Sequence, residues 1–181
     1  QTAYLIPNGP MLGNLKALSA NGIDVRILTN SAASTNHGVV HAYYAKYRRQ
    51  LLSANIELYE VQGTGALATY LDRVGEDAHA GLHTKAMVVD ERLSVIGSYN
   101  MDPRSRVWNS EIALVVDDAN FAAEVLQEME RDFSPEAAWR LSLDEKESVV
   151  WTGESEGAET QFHRDPGSTW WDRLVWGIFR I

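Results

Sequence analysis

Apolar residues recur along this chain in short bursts, and the spacing within each burst alternates between two periods. Tyr4 to Ile6 reads as a strand stopped by the turn signal Pro7-Asn8-Gly9-Pro10, after which Met11, Leu12, Leu15 and Leu18 fall at helical spacing. Asn21-Gly22 ends that helix, and Ile23 to Thr29 is a second apolar strand. From His37 to Ala54 the chain places Val40, Tyr44, Tyr47 and Leu51 on one helical face, and Ile56 to Val61 returns as a strand. Strand and helix in alternation predict an α/β fold: a mixed, largely parallel sheet covered by helices.

The second half follows a different rhythm. Gln62 to Gly81 is rich in Gly, Asp and Ala without apolar periodicity, which predicts a loop longer than most and a candidate lid or site wall. Leu82 to Asp90, Leu93 to Ser98 and Glu111 to Val116 read as strands. Phe121, Val125 and Met129 recur every four residues, predicting a helix to about Asp132 that Ser134-Pro135 breaks. Beyond it Trp139, Leu141 and Leu143 alternate, the chain turns over 144–147 and resumes at Val149, which predicts a β-hairpin added to the main sheet. Residues 152–169 are polar and read as a loop, and a tryptophan-rich run follows from Trp170. The chain opens inside an apolar run and closes on another, which reads as a piece of a longer protein.

Composition narrows the chemistry. The 181 residues, 45% of them apolar, suit one packed domain. There are no cysteines, so disulfides, thiol nucleophiles and cysteine-based zinc sites are all excluded. A formal net charge of −9 argues against general attraction to nucleic acid or anionic lipid, so any polyanion site must be local. No run approaches the roughly 20 apolar residues that span a bilayer, and no signal peptide opens the chain, which predicts a soluble or peripheral protein.

The informative stretch is Leu82 to Asp90, followed by Gly97-Ser98-Tyr99-Asn100. In a strand alternate residues share a face, so His83 and Lys85 are expected to project together while Met87 and Val89 continue that line into the core. A lone histidine and lysine on a strand are ordinarily surface residues. The linked Gly-Ser-x-Asn and the downstream Glu111 change that balance. An imidazole beside a fixed cation suits a phosphodiester: Lys85 neutralises nonbridging oxygens while neutral His83 attacks phosphorus or passes protons. Ser98 and Asn100 offer further donors to phosphate, Gly97 lets the backbone approach a ligand, and Glu111 is placed to accept from the imidazole Nδ1. Asp90 is more often a strand terminator than a catalyst, and it joins the candidate catalytic set with low weight.

These residues carry a resemblance. The spacing H-x-K-x4-D-x6-G-S-x-N at His83, Lys85, Asp90, Gly97, Ser98 and Asn100 is similar to the HKD motif of the phospholipase D superfamily. With Tyr4 to Pro7, Val25 to Ser31, Tyr44 to Arg48, Leu58 to Glu60, Asp102 to Ser105 and Asn109 to Glu111, the chain resembles the C-terminal half of a bacterial cardiolipin synthase-like branch. The resemblance implies a half-domain over 1–133 with one motif and a C-terminal extension over 134–181. It also implies a two-step reaction without metal or other cofactor, through a phosphohistidine. One histidine is the nucleophile and a second protonates the leaving alcohol, so the second motif must come from a missing N-terminal half or a second copy of the chain. His83 is then the general acid and base, and Glu111 supports an imidazole. The implied substrate is phospholipid at the bacterial cell membrane, met peripherally. The competing functions are a nuclease of the same fold, disfavoured by the acidic charge, and an isolated half-domain without activity.

Other residues invite and resist roles. His37 and His41 lie one helical turn apart, a spacing compatible with metal, but without an evident third ligand they read as ordinary helix residues. His79 and His163 sit in polar segments and are assigned nothing. Arg104 and Arg106 suit either a lipid phosphate or a salt bridge to Asp102 or Glu111. The resemblance departs from its pattern at Asn36-His37, where the branch tends to carry aspartate, and at Trp108, which replaces a smaller aliphatic residue.

Overall fold

The structure is a computed structural model that describes residues 1–63, 81–155 and 157–170. The first half alternates helix and strand: α1 (Gly9–Ala20), β1 (Arg26–Asn30), α2 (Gly38–Ala45), α3 (Arg48–Leu52) and β2 (Glu57–Val61). Pro10 lies in the first turn of α1, where an N–H has no helical partner to lose. The single helix expected from His37 to Ala54 is two helices. The chain tightens where Tyr47 N donates to Tyr44 O at 2.8 Å, and the helical ladder restarts from Leu51 N to Tyr47 O.

The second half is β3 (Ala86–Val89), β4 (Leu93–Gly97), α4 (Pro103–Val107), β5 (Ala113–Asp117), α5 (Ala119–Asp132), β6 (Ala138–Leu143), β7 (Val149–Ser155) and β8 (Ala158–Phe162). The strands form two sheets, ordered β1-β2-β6-β7-β8 and β3-β4-β5. β1 and β2 pair in parallel, and the other strand pairs are antiparallel. The fold is therefore α/β, with one mixed and one antiparallel sheet flanked by helices; the expectation of a largely parallel sheet is corrected, since only β1 and β2 run in parallel. The expected hairpin is β6–β7, joined to β2 through β6. The expected loop over 152–169 is corrected: it holds the end of β7 and all of β8. Only Phe162 in β8 packs as an apolar residue, ring to ring with Trp139 at 5.2 Å, so this polar edge strand has no apolar alternation to read.

The expected strand from Tyr4 to Ile6 reduces to single bridges, Thr2 to Lys85 and Leu5 to Met101. The opening residues nonetheless tie the two sheets together, because Thr2 N donates to Leu28 O at 3.0 Å and Ala86 N to Gln1 O at 3.1 Å. One core lies under α1 to α3, with Leu5, Leu15, Tyr44, Leu58, Trp139 and Trp151 buried together. A smaller one on the opposite side joins Leu28, Val61, Leu82 and Ala138 to Tyr59 and Phe133.

α5 starts at Asp118, whose carboxylate accepts from Phe121 N at 2.9 Å, and lies against β3, β4 and β5 with Ala122 and Met129 buried. Ser94 and Ala86 are buried on that side. The register sets Met87 beside Val95 and Val95 beside Val115 on the other face. That face is open: Met87 is 53% exposed, Val115 59% and Val89 38%. The expectation that Met87 and Val89 run into the core is corrected, since the helix covers the opposite face. The expected lid over 62–81 falls outside the described residues except at its ends, as does His79, and so does the tryptophan-rich tail after Trp170. Among the described residues no helix is long and apolar enough to cross a membrane.

A buried ion network joins the helices to the larger sheet. Arg48 grips Glu60 with two bonds, Nε to Oε1 at 2.7 Å and Nη2 to Oε2 at 3.0 Å, and Glu60 also accepts from Tyr44 Oη at 2.7 Å and Trp151 Nε1 at 3.0 Å. Arg48 Nη1 reaches Asp165 at 2.7 Å, and His41 Nε2 lies 3.0 Å from the same carboxylate oxygen. His41 is therefore a core residue rather than a metal ligand beside His37. Burial raises the Asp165 carboxyl, but Arg48 and His41 outweigh it and hold the group at about 2, below its ordinary 3.8. A carboxyl depressed on folding stabilises fully above its unfolded value, so this contribution is lost as pH falls from about 4 toward 2. Glu60→Gln leaves the Arg48 charge half-compensated in the interior, and is expected to cost about 3 kcal/mol in urea unfolding. An exposed Arg92→Gln control, which breaks the surface pair with Asp117, should cost far less.

Candidate active site

The approach to β3 is irregular backbone, held by a side chain from another strand. Asn30, buried at the end of β1, accepts from Leu82 N through Oδ1 at 2.8 Å and donates through Nδ2 to Leu82 O at 2.9 Å and Ala3 O at 3.0 Å. This clasp fixes the backbone next to His83. The sequence reading missed its role, although Asn30 stood within the segment that carried the resemblance; a buried asparagine at a strand end is the signal, visible only once burial is known. His83 itself is exposed, and its ring has no hydrogen bond or ion pair among the described residues. Lys85 bridges to Thr2 and donates from Nζ to the His83 carbonyl at 2.6 Å. Partial burial lowers the Lys85 ammonium, with the charges of Glu111 and Asp102 opposing the fall.

β4 ends on Gly97, whose place is dictated by the neighbouring strand rather than by a ligand. A Cβ there would fall on the Ile112 carbonyl oxygen and within 2.9 Å of Ala113 Cα. That close approach brings Ser98 onto Glu111. The Ser98 hydroxyl donates to Glu111 Oε2 and accepts from Ile112 N at 3.0 Å, while Asn109 Nδ2 donates to Glu111 Oε1 at 3.1 Å. Ser98, Ser105 and Asn109 together hold the Glu111 carboxyl below the ordinary glutamate range, with Lys85 adding to the fall. A hydroxyl has one proton, so Ser98 as placed spends its donor on Glu111 rather than on phosphate.

Asn100 faces inward. Its Oδ1 accepts from Tyr4 N at 3.3 Å, the amide Nδ2 has no partner among the described residues, and its own N–H donates to Ser105 Oγ at 3.2 Å. Asp102 caps α4 by accepting from Ser105 N at 2.8 Å, ahead of Pro103. The structure thus gathers Lys85, Ser98 and Glu111, with Asn109 and Ser105 as supports. Among the described residues no bond joins Glu111 to His83, and the carboxylate accepts from Ser98 and Asn109 instead. Asp90 lies elsewhere: φ of 51° places it in the left-handed turn between β3 and β4, across the four residues of β3, roughly 13 Å of strand, from the histidine end. Of the candidate catalytic set, Asp90 is therefore placed in a turn, apart from Lys85, Ser98 and Glu111.

Comparison with known proteins decides the family. Residues 1–133 match the family described as "Cardiolipin synthase, PLD-like domain". The chain belongs to the phospholipase D superfamily. Cardiolipin synthase C of Escherichia coli is 31% identical over 176 residues, covering 96% of this chain and 37% of that protein. The minor cardiolipin synthase ClsB of Bacillus subtilis is 31% identical over 132 residues, covering 72% of this chain and 28% of that protein. This phospholipase D-type chain therefore spans 37% and 28% of the length of these two relatives. Its fold resembles that of Nuc, a phospholipase D family member from Salmonella typhimurium, with a TM-score of 0.57 at 18% identity over 77% of this chain and 78% of that one.

Asn30→Ala removes the partners of a buried N–H and carbonyl, and is expected to cost about 1–3 kcal/mol in unfolding and to loosen His83. Amide exchange at Leu82 that stays as slow as in the parent chain would count against the clasp. Ser98→Ala removes the first support of the depressed Glu111 carboxyl. Carbon NMR of that side chain is expected to show its titration move up, so that Glu111 takes its proton at higher pH than in the parent.

Proposed function

We propose that this chain supplies one of two HKD motifs to a cardiolipin synthase-type phosphatidyltransferase, which passes a phosphatidyl group to the hydroxyl of a second lipid such as phosphatidylglycerol. The observation that carries this reading is the unbonded His83 imidazole beside the Lys85 ammonium, in a stretch matched to a cardiolipin synthase domain. The nucleophilic histidine of the other motif attacks phosphorus, and the bond to the leaving glycerol oxygen breaks. Protonated His83 gives its proton to that oxygen. Neutral His83 then takes the proton of the incoming hydroxyl, which attacks the phosphohistidine and releases the first imidazole. Lys85 and the Asn100 amide stabilise charge on the nonbridging oxygens. Glu111 keeps Ser98 in place and sets the field at Lys85.

One histidine cannot occupy both faces of the phosphorus, so the second motif is required. The open face of β3 to β5, which carries Lys85 in line with Met87 and Val89, supports a second phospholipase D-like half lying against it. That half belongs to an N-terminal part of the same protein or to a second copy. The whole acts at the bacterial cell membrane as a peripheral protein. The net charge of −9 argues against a broad nucleic-acid-binding surface, and a lipid phosphate would be met by local cations such as Lys85.

The two-motif protein is expected to transfer phosphatidyl groups between vesicle lipids, and His83→Ala to lower turnover by at least about a hundredfold. Lys85→Ala should lower it comparably. Turnover is expected to survive excess EDTA; loss on chelation, restored by a divalent ion with soluble substrate, would remove the mechanism. The isolated chain as a monomer is expected to be inactive. Cleavage of DNA without lipid transfer would replace the substrate class.

A further inference from the structure

We infer that the segment from Arg104 to Ile112 is the surface through which the protein rests on an anionic phospholipid bilayer, beside the His83 and Lys85 site. This rests on the lipid-substrate reading above and adds to it where the bilayer touches. Trp108 is 82% exposed, Ile112 77% and Val107 58%, whereas Trp139 and Trp151 are 5% exposed. Large apolar side chains left in water at this density mark a surface that is covered in use.

The segment is not a loose end. Asp102 caps α4, Ser105 accepts from Asn100 N, Asn109 is tied to Glu111, and Ile112 N donates to Ser98 Oγ. These bonds hold the apolar side chains outward on a fixed frame. Arg104 and Arg106 are exposed and make no ion pair among the described residues, while Asp102 accepts from Ser105 N and Glu111 from Ser98 and Asn109. Two free guanidinium groups beside an outward tryptophan, on a chain of net charge −9, give a local cationic and apolar face that complements anionic headgroups over acyl chains. Two arginines without further basic side chains are a short footprint for a nucleic acid backbone.

Position argues the same way. Asn109 and Glu111 lie inside this segment, and the charge of Glu111 reaches Lys85. A lipid whose phosphate meets Lys85 therefore has the apolar rim beside it for its chains. The rim and the phosphate site are one frame, so seating on the bilayer presents headgroups to the site.

The test uses the full two-motif protein and sedimentation with sucrose-loaded vesicles, either phosphatidylglycerol mixed with phosphatidylcholine or phosphatidylcholine alone, at fixed salt. A second assay follows turnover of monomeric short-chain phosphatidylglycerol, which needs no bilayer. Trp108→Ala and the double variant Arg104→Gln/Arg106→Gln are compared with the parent, and Val107→Asp probes the same rim should Trp108→Ala fold poorly. The proposal expects each to bind anionic vesicles roughly five- to tenfold more weakly while short-chain turnover stays within about twofold. The arginine variant should lose the preference for anionic vesicles. Parent-like vesicle binding by the rim variants, with lipid turnover intact, overturns this inference and leaves the proposed activity standing. A parent protein that turns over no lipid overturns the activity itself. Light scattering that shows Trp108→Ala splitting an oligomer, or a loss of DNA binding in place of vesicle binding, assigns the surface to another partner and overturns the proposal.

Discussion

Everything that frames the site leads back to the Arg48–Glu60 pair. Two charges sealed in an interior are tolerable only when each is met by its opposite and by hydrogen bonds, and here Tyr44, Trp151 and Asp165 complete the set. Because the partners come from α2, α3, β2, β7 and the segment after β8, the network admits one arrangement of those elements. Asp165 sits two residues before Gly167, and a side chain at Gly167 would strike Ala33. The turn after β1 is thereby pressed into place, with Ser31 and Ser34 bonded to each other. Asn30 immediately before that turn clasps Leu82, and His83 follows. The order of the backbone next to His83 is thus inherited from charges buried on the other side of the sheet.

At the site itself the controlling feature is competition for partners. Glu111 engages Ser98 and Asn109, the His83 ring has no bond among the described residues, and Asp102 caps a helix. The Lys85 ammonium, which donates to the His83 carbonyl, is consequently not neutralised by contact with these carboxylates. In a protein this acidic, such a local reserve of positive charge is what makes phosphate binding electrostatically reasonable. The close approach of β5 to Gly97 is the steric condition for it, since any side chain there would part the strands that bring Ser98 to Glu111.

The asymmetry of the smaller sheet gives the half-site argument its physical form. α5 packs on one face of β3 to β5, burying Ala86 and Ser94 although Leu114 on that face stays exposed, and the face in line with Lys85 keeps Met87, Val89 and Val115 in water. A second motif supplied against that face would cover apolar surface and bring another imidazole toward His83 in one step. The proposed lipid rim lies at the end of the same sheet, where α4 leads into β5.

The sequence alone determined the α/β class, most of the strands and the family to which the motif around His83 and Lys85 belongs, because periodicity and motif spacing are local properties. It misread the path from His37 to Ala54 as one helix, since the tightened turn at Tyr47 leaves the apolar spacing nearly unchanged. It missed β8, whose polar residues suit an edge strand and carry no alternation. Only the tertiary structure decided which face of β3 is covered: alternation puts Met87 and Val89 together but cannot say where α5 docks. Likewise, whether Glu111 meets His83 or Ser98, why Gly97 is glycine and what Asn30 holds depend on distances between strands far apart in the chain. Asp90 shows the limit most plainly. Motif spacing sets it beside the catalytic residues in sequence, and a strand's length sets it apart from them in space.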